Sequence, residues 1–530
     1  MLLVAKNICF LPLKALFFTK CMGWFMEIKD QKMSGLRLAL FPIADNELSK
    51  FLPMCGMIFC TIFAYSLLRA YKDALVLSAP GSGAEVLPFL KIYVVFPVTI
   101  MATIGYMKLR KVFDVSRAYY TIISTFIGIF ALFALVLHPF SAYIHPSPEW
   151  LSGMQAAYPP LKYFFAILGS WSYALFYVSA ELWGTFALSV LFWQFANETT
   201  SPSQSKRFYP LYVMVGNISL LFLFPVLKHI SQNPNSDVLE VCSIAVFFGL
   251  LLMYFFSRAI SVAKQEQSNE KIVKKKKKKL SMAESFAVLF KSEYVGYIAL
   301  LVLSYGFIIN VVEVVWKAQL KQLYPSRQAL IEFNSYYTFL TGVATIIMNY
   351  LSKGVIRKMG WLTGAIITPI ASGVLSCLFF VYILGQSMFS SVAIFLQMAP
   401  LTFAVWFGAW AVLLTKGSKY SFFDPTKEMA FIPLDPDLKV NGKAAVDGVG
   451  GRLGKSAGGL VTSTLLVLYS TSDAAATAFD IAPVLFGLVA LLTFAWLFSV
   501  VRLSILYNDA VERTEREEGE QHGQLQAAST

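Results

Sequence analysis

Four ionisable residues stand inside or at the edge of long apolar runs: Lys91 in PFLKIYVVFP, Glu181 in FYVSAELWGTFALSVLFW, Glu313 in SYGFIINVVEVVWKAQL and Lys455 in GRLGKSAGGL. In hydrocarbon such a group costs at least ~2.5 to 3.5 kcal/mol and by default marks a pathway or a site. Lys91 and Lys455 are long enough to snorkel to an interface instead. Glu181 and Glu313 are too short for that, and a buried structural ion pair is their main rival reading. Helical spacing adds neighbours. Asn310, Glu313, Lys317 and Lys321 recur three or four apart, and so do Tyr65, Arg69 and Lys72, so each set shares one helix face. A cavity lined by Arg69, Lys72, Lys91, Arg452 and Lys455 suits a polyanion, because Arg and Lys are the usual partners of phosphate. Tyr65 and nearby aromatics can stack on a base. Ordinary snorkelling is the competing explanation, and it leaves the matched pattern a coincidence.

Other chemistries find little support. GRLGKS at 451–456 looks like part of a phosphate loop, but the required Gly is replaced by Val449. No HExxH, GxSxG or paired-carboxylate pattern stands out, so neither an enzyme nor a resident metal or cofactor is expected. Cys9, Cys21, Cys55, Cys60, Cys242 and Cys377 form no CxxC pair and are read as free thiols. Seven lysines crowd residues 271–279. In so apolar a chain they read as a cytoplasmic loop beside anionic lipid rather than a nucleic-acid tether.

The elements that must hold these residues are membrane helices. The chain is 57% hydrophobic and only 14% charged, too little charge for a soluble surface of this size. A span needs ~20 mostly apolar residues, and twelve candidates lie near 51–69, 87–107, 118–138, 162–196, 208–228, 239–260, 294–316, 333–352, 361–385, 391–415, 456–470 and 478–504, of which the fourth is too long for a simple span and the eleventh is short unless it starts near Gly450. With the N-terminus in the cytoplasm, the basic loops fall inside, among them Lys108 to Arg117, Lys206 and Arg207, the lysine run, Lys353 to Lys358, and Lys416 to Lys443. The loops at 139–161, 386–391 and 471–478 hold no Lys or Arg, as the positive-inside rule requires. Arg69 and Lys72, and then Lys317, Lys321 and Arg327, break that rule in matching places. The expected organisation is a leader (1–50), a six-helix half (51–261), a Lys-rich linker (262–291), a second six-helix half (292–505) and a disordered tail (506–530). Residues 1–32 fit this plan poorly, and Met33 opens a more typical leader. GYMKLRKVFDVSR after span 2 and LSKGVIRKMGW after span 8 loosely resemble the basic loop motif of the major facilitator superfamily, whose substrate site lies between two six-helix halves.

Longer stretches carry a closer resemblance. APGSGAEVLPFLK (79–91), AELWGTFALSVLFWQFANETT (180–200), INVVEVVWKAQLK (309–321), SKYSFFDPTKEMAFIPLD (418–435) and KVNGKAAVDGVGGRLGKSAGG (439–459) resemble the ATP/ADP translocases of obligate intracellular bacteria and plastids. The resemblance runs from about residue 40 to 505. It implies an all-α, major-facilitator-like transporter of twelve helices, with functionally important charges falling on Lys91, Glu181, Glu313 and Lys455. Two departures stand out: the end of span 1 reads RAYKD where the family has close to RDTKD, and Asn441 replaces a Lys. Members of that family differ in cargo, so three expectations stay open: ATP/ADP exchange, proton-coupled import of nucleoside triphosphates, and carriage of a single nucleotide or NAD. The resemblance also implies a multi-pass protein of a bacterial inner membrane, with both termini cytoplasmic. Its partners are then nucleotides and lipid, with protons if uptake is proton-coupled, and it is expected to be monomeric.

Overall fold

A computed structural model describes residues 43–44, 47–269, 292–434, 442, 443, 446 and 451–529. The leader, the lysine run and the stretch around Lys439 and Asn441 lie outside the described residues. All the regular structure within them is helical. The long helices are α1 (Leu48–Leu77), α2 (Val86–Val112), α3 (Val115–Leu137), α4 (Trp171–Thr199), α5 (Pro202–Gln232), α6 (Asp237–Asn269), α7 (Glu293–Leu323), α8 (327–359), α9 (361–384), α10 (Pro400–Ala430), α11 (Gly451–Tyr469) and α12 (Ala482–Ser529). Side-chain caps start several of them. Ser201 forms a capping box with Gln204 ahead of Pro202, and Ser292 and Ser326 accept the third amide of α7 and α8. Each cap satisfies amides left without an intrahelical partner. Gly360, at φ +84°, separates α8 from α9, a conformation that costs glycine little.

Among the described residues, ten helices are both long and apolar enough to cross a membrane, where the sequence reading expects twelve. The two that fall short are α8 and α11. In α8 the polar residues Asn334, Thr338, Thr341 and Thr345 line an internal cavity, which lowers its hydropathy. The apolar part of α11 is confined to Ser456–Tyr469. Large apolar side chains on the outside of the bundle, such as Phe247, Tyr350, Leu491 and Phe494, form the surface lipid requires.

Several boundaries move. The fourth expected span is two helices, because the chain leaves helical geometry at Ser170 between Lys162–Gly169 and α4. The tenth is likewise divided: Gln386–Phe395 precedes α10, with Gln397 at φ +55° between them. Arg69 and Lys72 lie inside α1, and Lys317 and Lys321 inside α7, as their helical spacing implies. The tail expected to be disordered continues α12 as helix to Ser529, in keeping with its Glu, Arg and Gln content and an Arg516–Glu512 pair one turn apart.

Helix α7 is the centre of the bundle: 78% of its most apolar window is buried, against 22% for α2. Two glycines of α11 let it lie directly on α7. A Cβ on Gly454 would come within 2.7 Å of the Leu303 carbonyl oxygen, and one on Gly458 within 3.0 Å of that of Phe307. The GRLGKSAGG segment is therefore a small-residue packing seam of the kind membrane helices use. At the start of α1, Glu47 accepts two hydrogen bonds from Arg207 at 2.6 and 2.7 Å, which tie α1 to α5.

These bonds hold the Glu47 carboxyl down at about 2, against an ordinary 4.5. A depressed carboxylate contributes stability above its unfolded value and loses it as pH falls through its folded one. Glu47→Gln is expected to lower the melting temperature of the purified protein at pH 7. The difference from wild type should fade as pH drops from about 4.5 towards 2. A deficit that stayed constant with pH would contradict this.

Candidate functional site

Wide helical turns shape the middle of the bundle. Such π-type turns carry an extra residue and often occur at functional sites. One spans Leu90–Val95 and carries Lys91, one spans Gly184–Phe192 just after Glu181, and one spans Lys419–Phe423 just after Lys416. Gly184 is also where α4 meets α1, since a Cβ there would sit 2.4 Å from the Tyr65 ring.

Glu313, on α7, gathers four cations from three other helices and its own. Lys416 Nζ of α10 lies 2.8 Å from one oxygen and Arg69 of α1 at 3.7 Å. Lys91 of α2 and Lys317, one turn along α7, each lie 3.9 Å from the other oxygen. Asn310, one turn before Glu313, accepts a hydrogen bond from Lys91 at 3.0 Å. A second carboxylate continues the network: Asp73 of α1 binds Lys72 at 2.9 Å and Lys317 at 2.8 Å. Lys72 also contacts Glu181 at 2.9 Å and lies 3.6 Å over the Tyr177 ring. Arg69, Lys72, Lys91, Lys317 and Lys416 thus face three carboxylates, Asp73, Glu181 and Glu313. The network carries an excess of two positive charges.

A cavity of about 450 Å³ opens against this network. Along α1 it is lined in turn by Ile62, Tyr65, Arg69 and Asp73; α7 adds Glu313 and Lys317, and α10 adds Lys416 and Tyr420. Lys72, Lys91, Glu181 and Asn310 stand behind that wall and bond to residues on it or to one another. The lining also includes the uncharged Trp193 of α4, Asn217 of α5 and Thr338 and Thr341 of α8, together with Tyr337 of α8, whose hydroxyl accepts a hydrogen bond from Lys416 at 3.2 Å. Asn217 is half-buried on the cavity wall, so its amide is open to hydrogen bonding with whatever occupies the cavity. The cavity thus combines charged groups with aromatic rings and amide side chains.

Eight of the ten residues singled out from sequence belong to this arrangement: Tyr65, Arg69, Lys72, Lys91, Glu181, Asn310, Glu313 and Lys317. Arg452 and Lys455 lie on α11, and their side chains are outside the described part of the structure. Lys321, though on the same helix, turns away to the Pro325 carbonyl at the end of α7. Lys416 corrects the sequence reading, which places it in a cytoplasmic loop; it lies within α10 at the heart of the cluster. Asp73, Lys416, Tyr337 and Asn217 were all missed. Asp73 follows Arg69 by one turn, and extending α1 to Leu77 would have exposed it as an intramembrane acid.

A bundle of membrane-spanning helices around a charged central cavity defines a solute transporter. Solved transporters share the fold: a mutant of the nucleoside transporter NupG aligns with a TM-score of 0.51 at 14% identity, over 84% of this chain and 99% of its own. A bacterial homologue of the iron transporter ferroportin aligns at 0.51 and 12%, over 88% and 99%. The chain belongs to the TLC ATP/ADP transporter family, whose profile matches residues 26–507. Its relatives include ADP,ATP carrier protein 1 of Rickettsia typhi, 38% identical over 92% of this chain and 99% of the relative. The carrier of the same name from Chlamydia muridarum is 39% identical over 93% and 94%.

Removing one partner of a buried ion pair typically costs about 3–5 kcal/mol, because it strands the other charge. Glu313→Ala leaves Arg69, Lys91 and Lys416 without a carboxylate, although Lys317 keeps Asp73, whereas after Glu181→Ala Lys72 still keeps Asp73. Thermal unfolding in detergent is therefore expected to show a markedly larger loss for Glu313→Ala. Equal losses would mean that Glu313 is not the hub.

Proposed function

We propose that the protein exchanges ATP for ADP across a bacterial inner membrane, as a monomer of twelve spans in two six-helix halves with both termini cytoplasmic. The single observation that carries this is the cavity itself, where a net-cationic cluster meets aromatic and amide side chains. That combination suits a nucleotide, the cargo in the carrier relatives' names. Phosphates engage Arg69, Lys317 and Lys416, with Lys91 behind them. Tyr65, Trp193 and Tyr337 flank the base, and the donor and acceptor of Asn217 read its edge. Swapping ATP for ADP moves about one net charge, worth ~2.3 kcal/mol per 100 mV.

Alternating access follows from what joins the halves. Arg69 and Lys91 reach Glu313 across the divide, and Lys317 reaches Asp73. Nearer the end where α1 and α7 finish, Arg327 binds Asp237 at 2.7 Å and Asn334 donates to the Ala70 carbonyl at 3.0 Å. In the proposed orientation that end faces outward, so this conformation is closed to the outside. A phosphate that takes over the cations from Glu313 would release the halves to rock. Exchange results if only the loaded site is released in this way.

The direct test is uptake of radiolabelled ATP into intact bacteria making the protein, with and without excess external ADP and a protonophore. ADP competition with protonophore resistance is the expected result. Collapse of uptake by the protonophore would contradict exchange and give Glu181 or Glu313 a proton to carry. Absence of ATP uptake would overturn the ATP assignment and direct the search to other nucleotides and NAD. Lys91→Gln and Lys455→Gln are each expected to abolish uptake while leaving membrane insertion intact, and wild-type uptake by either contradicts the site. Asn217→Ala should reduce the preference for ATP over GTP, CTP and UTP in competition assays by about tenfold, the scale of one bidentate base contact. An unchanged preference removes Asn217 from base reading.

A further inference from the structure

We infer that Tyr71 is a positioning residue of an outer gate: its hydroxyl takes over the Asp237 carboxylate when Arg327 lets go, so that the carrier can open outward. This rests on the alternating-access reading above. Asp237 begins α6 and is 1% exposed. Arg327, the first residue of α8, donates to one of its oxygens at 3.1 Å and places Nε 2.7 Å from the other. Tyr71 of α1 is fully buried, with its ring edge-on to that of Phe176 of α4 at 5.9 Å. Its hydroxyl lies beside the Asp237 carboxylate, yet makes no hydrogen bond in this conformation. A buried hydroxyl left unpaired is costly, and in a folded protein it asks for an explanation.

The two ends of the ion pair are not equivalent. A helix N-terminus favours a carboxylate and disfavours a guanidinium. Asp237 holds the favoured place on α6, where the Val238 amide also donates to it at 2.7 Å. Arg327 holds the disfavoured place on α8, and a fifth of its side chain is already exposed. When α8 moves away, Arg327 has water to enter, whereas Asp237 stays buried against α1. Separating a buried ion pair is expensive because it strands the charge left behind. The Tyr71 hydroxyl offsets that cost, since it is idle while Arg327 is docked and becomes a donor to Asp237 once Arg327 leaves. The neighbouring contact on this seam, from Asn334 to the Ala70 carbonyl, is neutral and strands no charge when it breaks. Asp237 thus passes between two satisfied states rather than from a paired charge to a bare one.

The test follows the rate at which a membrane-impermeant maleimide, added to intact bacteria, labels a Ser66→Cys reporter on the cavity wall. Protein with Ser66 intact gives the background from the native cysteines. Labelling requires the outer gate to open, so Arg327→Gln is expected to speed it. Tyr71→Phe keeps the ring and is expected to slow it roughly tenfold, the scale of one hydrogen bond to a charged group. In the Arg327→Gln background the same Tyr71→Phe change should have no effect, because without Arg327 the hydroxyl serves Asp237 in both states. A rate unchanged by either single substitution, or equal slowing by Tyr71→Phe in both backgrounds, overturns the inference. In everted vesicles, where the reagent meets the cytoplasmic face, wild type and Tyr71→Phe should both label quickly. Slow labelling of both there would overturn the orientation and the gate together. None of these outcomes depends on the cargo, so a wild type that takes up no ATP overturns the nucleotide assignment alone.

Discussion

One carboxylate organises this molecule. Glu313 is placed where desolvation would make a lone charge prohibitive, and it persists there because Arg69, Lys91, Lys317 and Lys416 converge on it from α1, α2, α7 and α10. Those cations are equally dependent on Glu313, and Lys317 is also steadied by Asp73. The packing follows from this arrangement. Helix α7 must sit at the centre to present Glu313, and glycines 454 and 458 of α11 let a neighbour close over it without side chains intervening.

The same network gives a physical reason for exchange. Two of the four contacts to Glu313 join α1 and α2 to α7, and the Asp73–Lys317 pair joins α1 to α7. In the proposed rocking movement, separating these helices with the site empty would break the pairs without giving the cations another anionic partner. A nucleotide brings its own anionic oxygens, so the cations keep a partner throughout the movement. In this account a carboxylate of the protein occupies the role that the substrate's phosphates later assume. The excess positive charge makes the empty site poorly satisfied and a polyanion its natural occupant.

Much of this was legible in the chain, for a definite reason. Charges are so expensive in hydrocarbon that Lys91, Glu181 and Glu313 stood out against their surroundings, and helical spacing added Arg69, Lys72, Asn310 and Lys317. What stayed hidden was hidden by span boundaries. Ending the first span at 69 and the tenth at 415 left Asp73 and Lys416 in apparent loops, where charge is unremarkable. Both helices continue, to Leu77 and Ala430. Asn217 is a single amide in an apolar run, and only the cavity beside it gives it meaning. Helix α8 is less apolar than the other spans because its polar face lines that cavity. The residues that weaken a membrane span in sequence are here the ones that build the site.

Efflux from liposomes tests the central claim most directly. Wild-type protein is reconstituted into vesicles loaded with labelled ATP, and loss of label is followed into buffer with or without external ADP. If the ion pairs at Glu313 hold the empty carrier still, label leaves rapidly only when ADP is present outside. Equal efflux into nucleotide-free buffer would show that the empty site reorients freely, and would contradict the account.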